Sequence, residues 1–507
     1  MARSAQPINP TLGIGVAVLV SGLILLAFGG VMSRATDAGS LAAADWAAIR
    51  FTIWQAILSA LISVTLAVPL ARALSRRNFA GRRWLITLLG APFLLPVMVA
   101  VLGLLAIFGN KGWLNLGLDA LGFESVSIYG AHGVILAHVF FNLPLATRLI
   151  LQGWQNIPSE HFRLAANLRV KSLFWLLEWP MLRQVVPGAL GLVFVICLTS
   201  FAVALILGGG PKATTIELAI YQAFRFQFDL GRAALLSIMQ MGIALTACFA
   251  LFRVLPMHDP ALGMDRVQRR WDQSRLDPWL ILLGTLFLVL PMISILGQGV
   301  PGLIDLPLTV WQATLRSIMV ALASTALLLF LSLPLAVLIL RAGGAEAAAI
   351  LGLATSPLML GTGLFIVVFP FANPVDLALV VTCLVNAIMA LPFAVRVLVP
   401  SLRDAVQTYG RLSASLGLTG WALWRIVLLP RLRRPLGFAL GLGAALSMGD
   451  LGVIALFADP IRATLPLQIE QLLAAYRIEQ AASASLVLTA VSFALFGLFD
   501  AWGRARA

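Results

Sequence analysis

The sequence predicts an all-α polytopic membrane protein with about twelve transmembrane helices, arranged as two parallel six-helix repeats. Hydrophobic residues make up 60% of the 507-residue chain and charged residues 11%, against about a quarter charged in ordinary soluble domains. About twelve apolar segments are long enough to cross roughly 30 Å of hydrocarbon as helices. Short motifs also recur between the two halves of the chain, at offsets of 248, 257 and 265, so the halves have gained and lost residues.

The segments centre near Gly22, Ile62, Met98, Leu143, Phe194 and Met241 in the first half, and near Phe287, Leu328, Gly361, Val385, Ala444 and Val491 in the second. The first, about Leu12 to Met32, resembles the apolar core of a signal peptide, but no small-x-small cleavage site follows it, so it is expected to remain as an anchor. Glycine or proline interrupts several others, which is tolerable where neighbouring helices or water satisfy the freed backbone groups. Lys and Arg are retained on the cytosolic side during insertion. Placing both termini in the cytosol puts 26 of the 35 basic residues there, but only 9 of the 21 acids. The net charge of +14 is therefore a topological signal. Its basic residues are dispersed among inner loops and do not make a nucleic-acid footprint.

The loop from Arg253 to Pro278 holds Pro256, Pro260 and Gly263 and divides the chain. This gives a first half at 1–255, a cytosolic linker at 256–278 and a second half at 279–507. Six segments precede the linker and six follow it. An even number makes the second half enter the membrane in the same orientation as the first, so the repeats are expected to relate by an axis along the membrane normal, with the pathway along it. Weak echoes agree: Trp54-Gln55-Ala56 recurs as Trp311-Gln312-Ala313, and Pro69-Leu70-Ala71 as Pro334-Leu335-Ala336.

The strongest echo lies in two inner loops. Arg163-Leu164-Ala165-Ala166-Asn167-Leu168-Arg169 and Arg411-Leu412-Ser413-Ala414-Ser415-Leu416-Gly417 are offset by 248, and the same offset carries Leu143, Pro144 and Arg148 onto Leu391, Pro392 and Arg396. Each loop reads as a short amphipathic helix, a turn, and a second helical piece before the next span. In the second, Arg411, Ala414 and Gly417 share one side, and the small residues Ser413, Ala414 and Ser415 leave a smooth surface for close packing. A single loop of this kind would read as a solvated connection; two at equivalent places read as paired docking elements.

These loops resemble the coupling-helix loop of ATP-binding-cassette importer permeases, whose pattern is Glu-Ala-Ala, three residues, Gly, nine residues, Ile-x-Leu-Pro. Gly417 and Pro430 have the expected separation of 13, with Ile426 nearby, Leu429 before the proline and Ser413 at the second Ala position. In the first loop Arg169 replaces the glycine, Trp179-Pro180 replaces Leu-Pro, and Arg169 to Pro180 spans only 11. Arg163 and Arg411 stand where that pattern has Glu. A narrower resemblance covers nearly the whole chain. Ser200-Phe201-Ala202-Val203, Gly208-Gly209-Gly210-Pro211, Ala213-Thr214-Thr215-Ile216-Glu217, Ala219-Ile220-Tyr221-Gln222-Ala223, Glu178-Trp179-Pro180 and Leu446 to Ala455 are similar to the fused permeases of bacterial thiamine importers.

That resemblance implies a type I importer permease fold in the bacterial inner membrane, and a periplasmic binding protein delivering thiamine or its phosphates. It also implies a cytosolic ATP-binding subunit dimer gripping the loops at about 155–184 and 401–434. None of the three lysines, Lys111, Lys171 and Lys212, follows a glycine, so the phosphate-binding motif G-x-x-x-x-G-K-[ST] is absent. The expectation is a non-catalytic subunit without a cofactor, with ATP hydrolysed by another chain. A permease for ferric iron or another small solute, or an ion-coupled secondary transporter, are the alternatives.

An acid at the bilayer centre costs roughly 2.5 to 3.5 kcal/mol on insertion scales, which singles out Asp450 in the eleventh segment. It could line the path and offset the charge of thiamine's thiazolium, or cap and brace its own helix. Glu217, Tyr221, Arg225 and Asp229 recur at four-residue spacing on an outer segment. They form either a face that receives the binding protein or a solvated helix with i, i+4 pairing. Cys197, Cys248 and Cys383 lie in apolar segments and read as buried thiols. His132, His138, His161 and His258 show no metal spacing.

Overall fold

The computed structural model describes residues 10–35, 39–90, 95–168, 172–208, 210–254, 274–457 and 462–504, and every regular element in them is a helix. Most of the expected linker, residues 256–273, and Arg169 lie outside the described residues. In the first half the helices are α1 (Thr11–Ala35), α2 (Ala43–Arg76), α3 (Arg82–Leu88), α4 (Val97–Phe108), α5 (Trp113–Ala120), α6 (Ala131–Gln155), α7 (Ser159–Asn167), α8 (Trp179–Leu198), α9 (Ala202–Leu207), α10 (Ile216–Arg225) and α11 (Leu230–Val254). In the second they are α12 (Asp277–Gly299), α13 (Leu308–Arg341), α14 (Glu346–Ala354), α15 (Pro357–Val368), α16 (Ala378–Ser415), α17 (Gly420–Leu423), α18 (Leu429–Gly449), α19 (Gly452–Phe457), α20 (Leu465–Ala474) and α21 (Ile478–Arg504).

All twelve expected segment centres fall within these helices. Eleven stretches among the described residues are long and apolar enough to cross a membrane. The segment centred near Gly361 is the exception: α15 has 12 residues, about 18 Å of helix, and cannot span 30 Å alone. Its counterpart α4 also has 12 residues, and reaches spanning length only with α5.

Several helices of the first half have a partner of equal length in the second. α2 and α13 are each 34 residues long with an internal proline, Pro69 or Pro334. At about 50 Å they outrun the hydrocarbon, so their ends carry polar residues beyond it. α9 and α19 are six residues each, and α10 and α20 ten each. The N-terminal amides of the last pair are held by a buried hydroxyl from the long helix: Ile216 N donates to Thr52 Oγ1 at 2.8 Å, and Leu465 N donates to Ser317 Oγ at 2.8 Å. A helix end away from water needs such a partner.

Compactness does not follow chain order. One unit comprises residues 1–40, 220–242 and 302–507; the other comprises 41–219 and 243–301. The first helix of each half therefore belongs with the other half's residues. In the first unit α1 lies against α13 and α15 with glycines at the contacts. A Cβ on Gly13 would stand 2.4 Å from the Pro334 carbonyl oxygen, and one on Gly363 would stand 2.2 Å from that of Ala27. In the second unit α12 lies against α2 and α4. A Cβ on Gly103 would stand 2.5 Å from the Pro291 carbonyl oxygen, and Ser294 Oγ donates to the Gly103 carbonyl at 3.3 Å. Small residues permit this approach, and in lipid, where apolar helices gain little by leaving the solvent, close packing is what holds helices together.

A polar knot ties helices together in each unit. In one, Gln55 donates to the Cys197 carbonyl at 3.0 Å and meets His138 Nδ1 at 2.8 Å, while Asn142 donates to Cys197 Sγ at 3.4 Å. In the other, Asn386 donates to Ser447 Oγ at 3.0 Å, which donates to Ser324 Oγ at 3.1 Å. Cys197 and Cys248 are buried and Cys383 is half-buried.

Candidate functional site

The two repeated loops adopt the helix-turn-helix form read from their sequences. α7 ends at Asn167 and α16 at Ser415, and their capping residues donate one turn back, Leu168 N to the Leu164 carbonyl and Leu416 N to the Leu412 carbonyl. Ala165 and Ser413 are the buried anchors of these turns, whereas Arg163, Leu164, Leu168, Arg411, Leu412, Ala414 and Leu416 are exposed. The four leucines are 56% to 68% exposed. Each pair, four residues apart, makes a small apolar ridge beside an arginine. Ala166 is half-buried.

The glycine of the second loop has a conformational task. Gly417 sits at φ +67 and its N–H donates to the Ala414 carbonyl at 3.1 Å, while Leu418 N donates to the Ser413 carbonyl at 2.9 Å. This is a Schellman terminator, which needs a left-handed residue. Next, both loops enter the membrane through one turn of π-helix, Phe174–Glu178 and Trp424–Leu428, each followed by a helix with proline second. Pro180 and Pro430 have no N–H to give, and the turn before each widens so that Trp179 N reaches the Phe174 carbonyl and Leu429 N the Trp424 carbonyl. Trp179, Pro180 and Pro430 are exposed.

Superposing the numbering locates the missing two residues of the first loop. α7 and α16 end at a 248 offset and the π turns begin at a 250 offset, so the deletion lies between Leu168 and Phe174. The second loop spends its extra length on Gly420, φ +54, and α17. The loops also differ upstream: α7 is separated from α6 by Asn156, Ile157 and Pro158, but α16 runs unbroken for 38 residues into its terminal turn. Glu160 stands in the first turn of α7, where its own backbone N–H and then the Ser159 hydroxyl hold its carboxyl below the usual range.

Asp450 interrupts a membrane span. It follows α18 in extended conformation, and one carboxylate oxygen accepts from Gly452 N at 3.2 Å at the start of α19. The other, Oδ2, is buried without a hydrogen-bond partner in the chain. The sequence alternatives were lining and capping; the geometry has one oxygen capping and one left over. At offset 250 the first half has Ser200, at the same break between α8 and α9.

Glu217, Tyr221, Arg225 and Asp229 do not share one solvent face. Glu217 and Tyr221 are buried, and Arg225 and Asp229 are exposed. Asp229 caps α11, accepting from Arg232 N at 2.9 Å. Sequence reasoning missed the partner of Tyr221: the 249 offset that maps Ile216 onto Leu465 maps Tyr221 onto Glu470 of α20. Burial pushes the Tyr221 phenol up, Glu470 adds to the push and Arg225 opposes it. Burial likewise pushes the Glu470 carboxyl up against the pull of Arg225. Beside them Phe365 meets Phe224 at 4.7 Å, Phe457 at 5.6 Å and Phe369 at 5.7 Å between ring centroids. Also missed were Phe228, φ +53, and Tyr476, φ +59, two exposed aromatic residues at equivalent turns. Such conformations in bulky residues are costly. Among the described residues no cluster of His, Cys, Asp or Glu could hold a metal ion.

No family model matches the chain. Individual relatives do. The thiamine transport system permease protein ThiP of Escherichia coli strain K12 is 38% identical over 99% of this chain and 98% of its own length. The protein of the same name from Salmonella typhimurium is 39% identical over 90% of this chain and 88% of its own. A probable sulfate transport system permease protein cysT from Helicosporidium is 27% identical over 45% of this chain but 82% of its own length. Kinship that runs from end to end at this level, on a polytopic helical framework, makes the chain a member of the thiamine transport system permease family.

Proposed function

We propose that this chain moves thiamine or its phosphates from periplasm to cytosol as the membrane subunit of an ATP-driven importer. The observation that carries the reading is the matched pair of docking turns, each with a buried small anchor, two exposed leucines and an exposed arginine, on a chain akin throughout to thiamine permeases. A separate ATP-binding dimer grips the turns at 155–184 and 401–434, and both termini are cytosolic. Nucleotide-driven closure of that dimer draws the turns together and opens the path to the periplasm; hydrolysis lets them part. The energy is the difference in the dimer's affinity for the two permease states. The match of one sulfate permease to 45% of the chain supports two permease halves, 1–255 and 279–507, in one chain. The chain itself carries no step of catalysis.

On the outer side, Arg225, Asp229 and the exposed aromatics Phe226, Phe228 and Tyr476 receive the binding protein, with Glu217 and Tyr221 supporting them from within. Asp450 meets the thiazolium cation in transit with its unpartnered oxygen. A transported cation must also leave, so one carboxylate with a competing backbone contact suits it better than a closed cage. The test is uptake by the complex reconstituted with its ATP-binding subunits and binding protein. Thiamine uptake and thiamine-stimulated ATP hydrolysis are expected; uptake of ferric iron or sulfate but not thiamine would overturn the substrate.

A further inference from the structure

Three arginines at the inner end of α2 hold two distant parts of one unit. Arg72 Nε lies 2.7 Å from the buried Glu178 Oε2, and its guanidinium stands 5.1 Å over the Phe174 ring, both on the π turn of the first docking loop. Within two turns, Arg76 Nη1 and Arg77 Nε each lie 3.7 Å from the carboxylate of Asp277, the first residue of α12. Arg77 also donates to the Ser274 carbonyl at 2.8 Å, and Ser274 N donates to Asp277 at 3.0 Å. Glu178 is 0% exposed and Asp277 3%.

In the second half Arg341 matches Arg76 at offset 265, but the positions matching Arg72 and Glu178 are apolar. Offset 265 puts Val337 where Arg72 stands, and offset 250 puts Leu428 where Glu178 stands; both are buried. The fold thus accepts an apolar pair here. Buried ion pairs seldom stabilise more than the apolar contact that could replace them, so the charges need another reason. Apolar contact is non-directional and permits slip, whereas a close ion pair at one end and the Arg77–Ser274–Asp277 hydrogen bonds at the other fix separation and orientation.

We propose that Arg72, Arg76 and Arg77 form a rigid junction that carries displacement of the first docking loop into α12, the exchanged first helix of the second half. α12 runs from this junction along α2 and α4 and continues in the chain into α13. Motion of one docking loop then reaches a helix that the other half contributes, through positioning residues that touch no substrate. The inference rests on the docking reading above but not on the identity of the cargo.

The test uses the full permease with its ATP-binding subunits. Gly297, in open space near the far end of α12, becomes Cys, and Cys383 becomes Ser. Labelling by a membrane-impermeant maleimide is measured with and without a non-hydrolysable ATP analogue. A nucleotide-dependent change of at least ~3-fold is expected. Glu178→Gln should abolish that change while the complex still assembles, and the charge-swapped pair R72E/E178R should restore it. Asp376→Asn, which breaks the exposed Arg462–Asp376 pair, should leave it intact. Should Glu178→Gln fail to assemble, Arg77→Gln loosens the α12 arm and is expected to give the same loss. An assembled Glu178→Gln or Arg77→Gln complex that labels like the parent, or a parent with no nucleotide-dependent change, overturns the junction. A parent that changes its labelling yet takes up no thiamine overturns the substrate assignment alone.

Discussion

Asp450 has two oxygens in unlike surroundings, and that separates its two roles. Asparagine keeps an oxygen for Gly452 N but loses the charge. Asp450→Asn is therefore expected to assemble normally and to lower thiamine uptake about 5-fold or more, as loss of roughly 1 kcal/mol of charge stabilisation in the path requires. An assembled variant transporting at the parental rate would leave Asp450 with its capping task only. Glu470 poses a stability question. Its carboxyl is raised by burial, so the folded protein binds that proton more tightly than the unfolded chain. Stability from this group is present at low pH and falls as pH rises through and above 4.5, its ordinary value. Glu470→Gln should flatten that part of the dependence, read as the thermal midpoint in detergent against pH; an unchanged slope would assign it to other groups.

At the scale of elements, glycine decides where helices touch. Gly363 has the Ala27 backbone against it, while Gly15 of α1 has nothing within 4 Å. Gly363→Leu is expected to destabilise by about 1–3 kcal/mol through overpacking and Gly15→Leu by much less, seen as a lowered thermal midpoint for the first alone. Equal midpoints would mean that α1 does not need this contact. Apolar runs and the helix-turn form of the two repeated loops were legible in the sequence, the runs as properties of a short stretch and the loops because the pattern occurs twice. The left-handed turn at Gly417 was not, since its spacing from Arg411 and Ala414 reads as one continuing helical side. The short helix at Gly361 and the breaks at Ser200 and Asp450 were not, since hydropathy averages over a window and passes across a kink. Nor was the burial of Glu217 and Tyr221: regular polar spacing defines a helical face without saying what packs on it. Glu470 escaped because its signal is the offset to Tyr221, a tyrosine matched with an acid, which no residue-by-residue likeness reveals.

For the whole molecule, the division of labour differs from the division of the chain. A cut in the linker at 256–278 divides both compact units, since α1 and residues 220–242 belong with the second half's residues and α12 with the first half's. The two pieces co-expressed are expected to accumulate in the membrane and support uptake, whereas either piece alone should be degraded, followed by immunoblot of membrane fractions. Stable accumulation of a single piece would show that its borrowed helix is dispensable.

The same exchange sets a schedule for synthesis. α12 leaves the ribosome when α2 and α4 are already in place, but α1 is made first and its glycine contacts, Gly363 among them, come more than 300 residues later. At roughly 10 residues per second the first helix waits about half a minute in the bilayer with no protein neighbour of its own. Its all-round apolar surface, without a charge between Thr11 and Ser33, lets lipid serve as the placeholder until the rest of the chain arrives.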